Sequence, residues 1–346
     1  MIRVLIVDDS ALMRRRISDI LSTDKEIEVL DYAKTGAEAI KKVVKMKPDV
    51  ITLDLSMPDI DGLTALIYIM NEVPTPVVII SANVAAGGPN ALKALELGAV
   101  EVVNKPSGEI SLDIEVVDQE IIRKVKAASK VDVKRIRSVF NMFKNIAPAI
   151  RTKVSAGLSN IVAIGASTGG PKAIKEILPY FSADISSAFL FVQHMPAGFT
   201  RSMAERLNWL TKIDIKEAED GDIIKAGHGY IAPGDYHMLV EMKNDDVVIR
   251  LNTAPKVNRV RPSITVMMDS VVKIFGARTI GVLLTGMGQD GVEGMRNIKN
   301  AGGITLAEDK STCVVYGMPR AAIEAGIIDK VIPISHMGLE IIKHIK

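Results

Sequence analysis

A repeated alternation governs what this chain can become: short apolar runs, each followed by an amphipathic stretch, with a chemically capable residue where the run stops. In the first 106 residues the runs are IRVLIV, IEVLDYA, DVITLDL, PVVIISA and VEVVNK. That rhythm specifies parallel strands joined by helices that cover both faces of a five-stranded sheet. Ligand chemistry in such sheets gathers at the carboxyl ends of the strands. A second series begins at NIVAIGAS and SAFLFVQH, passes through a β-rich middle (GYIAPGD, HMLVEM, DVVIRL), and resumes with TIGVLLTG and GITLAED. It predicts a second α/β domain with an antiparallel insertion near residues 222 to 251.

Length agrees with two domains, since 346 residues exceed one ordinary core. Hydrophobic residues at 48% and charged residues at 24% are enough for two globular cores and exclude disorder. The expected limits are 1–125, a linker over 126–156, and 157–346. Between Arg123 and Lys153 ten Lys or Arg residues face one acid, Asp132, which marks the linker. The fold class expected is α/β, two doubly wound domains: an N-terminal flavodoxin-like (βα)5 unit and a C-terminal three-layer unit with a mainly parallel sheet.

Several classes are disfavoured. The net charge of +2 gives no global drive toward nucleic acid or anionic membrane. No helix-turn-helix or zinc-finger spacing appears, and Ile121, Val125 and Ala128 make much of the basic segment the solvated face of a helix. The single Cys313, in the apolar setting TCVVY, excludes an internal disulfide and reads as a packed residue. Two aspartates stop the first apolar run early, so no signal peptide forms, and no run reaches the ~18 apolar residues of a membrane span. A cytoplasmic monomer without membrane insertion is expected.

Five residues of matching chemistry stand at strand ends in the first half. Asp8 and Asp9 follow the first run and Asp54 the third; converging carboxylates repel one another unless a hard cation sits among them, which implies Mg2+. Ser81 and Lys105 end the fourth and fifth runs and offer a hydroxyl and an ammonium to phosphoryl oxygens on Asp54. Any one of these aspartates alone would read as a solvated loop residue.

In the second half, Gly165, Ser167 and Gly169 satisfy G-x-S-x-G between a buried strand and an amphipathic helix. His194 ends the next run, and Asp290 lies just beyond TIGVLLT. Serine needs a base, and the base needs an orienting acid. The chain order Ser, His, Asp matches none of the α/β-hydrolase, chymotrypsin or subtilisin orders, so those folds are not supported.

Two other motifs compete. GASTGGPK lacks the Gly-Lys-Ser/Thr ending of a phosphate loop. Gly286, Gly288 and Gly291 form G-x-G-x-x-G with Glu308 downstream, as in a dinucleotide fold, but Asp290 inside that turn would repel a pyrophosphate. His228 and His237 flank YIAPGD without a carboxylate at ligand spacing and read as edge or loop residues. Arg259 and Arg261 in NRVRPS read equally as partners for acidic groups of a substrate or as residues of a solvated loop.

The motifs VDDS, LDLSMPDIDG, SA and KP resemble the receiver domain of two-component regulators. That resemblance implies Asp54 as phosphoacceptor, Asp8, Asp9, Asp54 and the Ser56 carbonyl around Mg2+, Ser81 as switch hydroxyl, Lys105 as phosphate partner, and a cis Lys105–Pro106 bond. Val102 stands where the family carries an aromatic switch residue. GASTGG, VQHM, TGMGQDG, YIAPGD and VYGMPRAA resemble the catalytic domain of the chemotaxis protein-glutamate methylesterases, so the likeness spans essentially the whole chain. It implies a serine hydrolase with Ser167 as nucleophile, His194 as general base then acid, Asp290 holding His194, the Met287 N–H in the oxyanion hole, and Thr168 shaping the site. No cofactor beyond the receiver's Mg2+ is implied. The family often has a His where Val260 stands. The implied reaction is phosphorylation-activated hydrolysis of glutamate γ-methyl esters on chemoreceptors, with deamidation of receptor glutamines, and the implied phosphodonor is the chemotaxis histidine kinase. A receiver driving a binding output is the contrasting reading.

Overall fold

A computed structural model describes residues 1–58, 60–81, 89–105, 114–132 and 157–345. The chain divides into two compact units, Met1–Asn145 and Ile146–Lys346. Residues 133–156 of the expected linker and the Lys105–Pro106 bond lie outside the described residues.

In the first unit, strands β1 (Ile2–Val7), β2 (Ile27–Ala33), β3 (Val50–Leu53), β4 (Val77–Ser81) and β5 (Glu101–Asn104) form one sheet in the order β2-β1-β3-β4-β5. Every pairing is parallel. This is the flavodoxin-like order, with its topological switch between β1 and β3. The apolar runs become strands because both faces are covered: Val4, Leu5, Ile6, Val50, Ile51 and Leu53 have no exposed surface. Side-chain caps start the helices. Ser10 accepts from Met13 N at α1 (Ala11–Leu21), Thr35 from Glu38 N at α2 (Gly36–Met46), and Asp61 from Thr64 N at α3 (Gly62–Glu72). Helices α4 (Pro89–Glu96) and α5 (Ile114–Ala128) follow. Ile121, Val125 and Ala128 form the buried stripe of α5, as their spacing predicted.

In the second unit, seven strands run in the order β14-β13-β12-β6-β7-β9-β8. They are β6 (Asn160–Ala166), β7 (Ser187–Gln193), β8 (Asp214–Glu217), β9 (His228–Ile231), β12 (Thr279–Leu283), β13 (Ile304–Glu308) and β14 (Lys330–Ile332). All six pairings are parallel. Within the expected insertion the hairpin β10 (His237–Lys243) with β11 (Asp246–Asn252) is antiparallel and Ile223 bridges Val248 in the same sense, whereas β9 belongs to the parallel sheet.

Strands β6 and β7 are buried along their whole length. Ala188, Leu190 and Val192 of β7 join a core with Met267, Met268 and Val271 of α8 (Ile264–Phe275) and Met295 and Ile298 of α9 (Val292–Asn300). Phe189 and Phe191 alternate with them and point to the other face, where Phe181 stacks on Phe189 at 4.3 Å. The remaining helices are α6 (Gly170–Ile177), α7 (Phe199–Leu210), α10 (Met318–Glu324) and α11 (Ile334–Lys343). Among the described residues no helix is long and apolar enough to cross a membrane.

Candidate active site and phosphoacceptor site

In the first unit the sheet order determines the site. Because β1 and β3 are neighbours, Asp8 and Asp54, each one residue past its strand, emerge side by side. Asp8, Asp9 and Asp54 each offer an oxygen within 4.8 Å of the others. Asp8 and Asp54 are buried and Asp9 is exposed. Lys105, just past β5, places Nζ 2.7 Å from Asp8 Oδ2 and 2.9 Å from Asp54 Oδ2. Ser81 ends β4 beside it, and the Lys105 N–H donates to the Ser81 carbonyl at 2.9 Å. The Ser56 N–H donates to the Asp54 carboxylate.

Burial raises the Asp54 carboxyl above its ordinary range although Lys105 opposes it. Burial works against the Lys105 ammonium, but the two carboxylates outweigh it and hold the amine charged. Three carboxylates against one ammonium leave a net negative pocket of hard oxygen donors, which fits a small divalent cation.

In the second unit the order β13-β12-β6-β7 brings four strand ends together. Ser167 follows β6 and His194 follows β7; the residues before them, Ala166 and Gln193, are paired, and the His194 N–H donates to Ala166 O at 3.1 Å. Gly169 takes φ +81°, which lets the chain turn from Ser167 into α6, and a side chain there would meet Val314. From the next strand over, Gly286 packs on the Ser167 turn so closely that a Cβ on it would lie 2.7 Å from Ser167 Cβ. Met287, half-buried, follows that glycine, and buried Thr168 follows Ser167.

His194 Nε2 and Asp290 Oδ2 are 2.9 Å apart. Asp290 is also held at the N-terminus of α8: it accepts from Ile264 N at 2.7 Å, from Ser263 Oγ at 2.8 Å and from Asn258 Nδ2 at 3.1 Å. Burial alone would raise this carboxyl; the bond to His194, with Asn258 and the helix N–H, outweighs it and holds Asp290 far below the carboxylate range. Ser167 and His194 are neighbours with no hydrogen bond between them among the described residues, an opening common before substrate arrives.

Sequence reasoning missed the supports of this site. Gln193 Nε2 donates to Ser167 O at 2.9 Å and to His194 O at 3.3 Å. Asn258 and Ser263 reach Asp290 from a loop far off in sequence; the only available signal was Ser263 before the apolar run of α8, an N-cap pattern. His237 stands at the start of β10 in the two-stranded hairpin and is buried there, with Nε2 3.1 Å from Pro255 O and Nδ1 accepting from Ser263 N. Arg261 holds Thr253 O and Ala254 O, while Arg259 is exposed. Among the described residues Asp8, Asp9 and Asp54 are the metal-competent group, and His228 with His237 forms none. Cys313 is buried, with Sγ 3.7 Å from Glu308 O.

Comparison with known proteins gives the same division. Residues 162–341 match the CheB methylesterase family and residues 4–116 the response regulator receiver domain family. A protein-glutamate methylesterase/protein-glutamine glutaminase of Pyrococcus horikoshii is 45% identical over 351 aligned positions, covering 100% of this chain and 94% of that protein. One of the same name from Archaeoglobus fulgidus is 46% identical, covering 99% and 98%. The crystal structure of the Thermotoga maritima CheB methylesterase catalytic domain is 43% identical, covers 55% of this chain and 99% of that one, and superposes with a TM-score of 0.53. With both family matches in one chain, and relatives of this identity along its whole length, the chain belongs to the CheB family of receiver-linked methylesterases.

Proposed function

We propose that this chain hydrolyses glutamate γ-methyl esters on the cytoplasmic domains of chemoreceptors, releasing methanol, and deamidates receptor glutamines by the same acyl chemistry. The observation that carries the reading is the His194–Asp290 pair beside Ser167, three strand ends in one row. Ser167 Oγ attacks the ester carbonyl and His194 takes its proton. With Asp290 bound to Nε2, Nδ1 is the nitrogen left to serve the serine. The tetrahedral oxyanion is received by the Met287 N–H, beside the Gly286 backbone that packs on Ser167, and Thr168 shapes the pocket. Collapse expels methanol, which takes the proton back from His194, and leaves an acyl-serine. Water, deprotonated by the same histidine, then releases the carboxylate and restores Ser167.

The first domain, 1–125, acts as the switch for the catalytic domain, 157–346, through the linker 126–156. Asp54 accepts a phosphoryl group from a chemotaxis histidine kinase, and Lys105 and Ser81 hold its oxygens. Asp8, Asp9, Asp54 and the Ser56 carbonyl would hold Mg2+, which offsets the carboxylates' charge and the phosphoryl group's when bound. The protein works in the cytoplasm as a monomer. A fluorophosphonate ester tests the serine assignment: mass spectrometry should find one adduct, on Ser167, lost in H194A. An adduct elsewhere, or equal labelling of S167A, would refute it.

A further inference from the structure

Behind the nucleophile turn lies a buried carboxyl that the reaction above does not use. Glu308, the last residue of β13, has 1% of its surface exposed and accepts from the Thr285 N–H at 2.8 Å. Thr285 is the hub of the turn. Its carbonyl accepts from Ser167 N at 3.0 Å, its hydroxyl donates to Thr168 O at 2.9 Å, and the same hydroxyl accepts from Val315 N at 2.9 Å. The chain of bonds therefore crosses three adjacent strand ends, from Glu308 through Thr285 to Ser167.

We propose that Glu308 is a positioning residue for the esterase reaction, holding Thr285 and through it the Ser167 turn, and that it works in its neutral form. The inference rests on Ser167 being the nucleophile. A carboxylic acid can accept the Thr285 N–H without placing charge in the pocket. The Thr312 hydroxyl also bonds to it. The charged groups that face it are Lys172 and Glu176, one turn apart on α6. Lys172 opposes the rise of the Glu308 carboxyl and Glu176 adds to it, both less than burial does, and burial itself lowers Lys172 and raises Glu176. Burial likewise pushes the Glu308 carboxyl up to about 7. Ionisation then sets a negative charge behind the turn on which the oxyanion must form, and that opposes the charge developing there.

The test is methanol release by the full chain against pH, for wild type, E308Q, E308A and S167A, with kcat and KM resolved. Gln keeps the acceptor oxygen and cannot ionise. E308Q should hold kcat within about threefold of wild type, while E308A loses about ten- to a hundredfold in kcat with KM little changed, the cost of a misplaced nucleophile. The wild-type profile should fall about three- to tenfold on the alkaline side of neutrality, and that fall should be absent in E308Q. Folded E308A with undiminished kcat overturns the proposal, as does E308Q losing as much as E308A. If E308A does not fold, the E308Q profile decides, and an alkaline fall identical to wild type overturns it. Release by S167A would instead bring down the serine reading, and this inference with it.

Discussion

Asp290 shows how much of a site can depend on one carboxylate. It holds His194, caps α8 with Ser263, and draws Asn258 inward. Asp290→Asn keeps the shape but turns one oxygen into a donor, so His194 is offered the wrong tautomer. We expect kcat to fall on the order of 1,000- to 10,000-fold with KM changed little, measured by methanol release at neutral pH. Glu308 acts on stability in the opposite sense to Asp290. Its folded value, about 7, stands above the ordinary 4.5. Below 4.5 both states hold the proton and nothing is lost; between 4.5 and 7 the unfolded chain has released its proton while the folded chain keeps it, so stability falls as pH rises. Above 7 the penalty is complete, about 3 kcal/mol from the two values. E308Q should therefore match wild type near pH 4.5 and exceed it by about 2–3 kcal/mol at alkaline pH in urea unfolding. A stability difference independent of pH would contradict this.

The elements that place these groups were readable to different degrees. The five runs of the first unit announced themselves because the central strands β3 and β4 are buried on both faces, although the edge strand β2 is not, and each run stops at a charged or hydroxyl residue. Strands β8 (DIKE) and β14 (KVI) carried no such run: both are largely unburied and lie at the sheet's edges. HGYI looked like part of the insertion because apolar spacing gives no direction of pairing. Ser167, His194 and Asp290 could be singled out because each sits at a turn, whereas Gln193, Thr285 and Asn258 make backbone and loop contacts that no spacing encodes. Lys124 was equally hidden. It lies on the buried side of α5, 2.7 Å from Val102 O and 3.2 Å from both Glu101 and Glu120. Burial works against its charge, and the two carboxylates prevail and hold it protonated. Lys124→Ala removes the buried ion pair with Glu101 and the bond to Val102 O, so the first unit should lose about 3–5 kcal/mol in urea unfolding. A loss below about 1 kcal/mol would mean that the pair does not pin α5 to β5.

Across the whole molecule, two complete parallel-sheet units share one chain, each with its chemistry at the carboxyl ends of its strands. In the proposed function the first takes up a phosphoryl group on Asp54 and the second cleaves an ester at Ser167, so control requires that the state of Asp54 reach Ser167. Asp54→Ala should abolish stimulation by a small phosphodonor such as acetyl phosphate, while residues 157–346 alone stay active and indifferent to it. Equal activity of the full chain and that fragment, with and without the phosphodonor, would remove the regulatory half of the account.

Methanol release from methyl-esterified receptor membranes should be measured for wild type and Ser167→Ala, each with and without Mg2+ and phosphodonor. The structure and family together predict release by wild type, increased when Mg2+ and phosphodonor are both present, and none from Ser167→Ala under any condition. Release by Ser167→Ala at the wild-type rate, or none from folded wild type with Asp54 phosphorylated, would contradict the account.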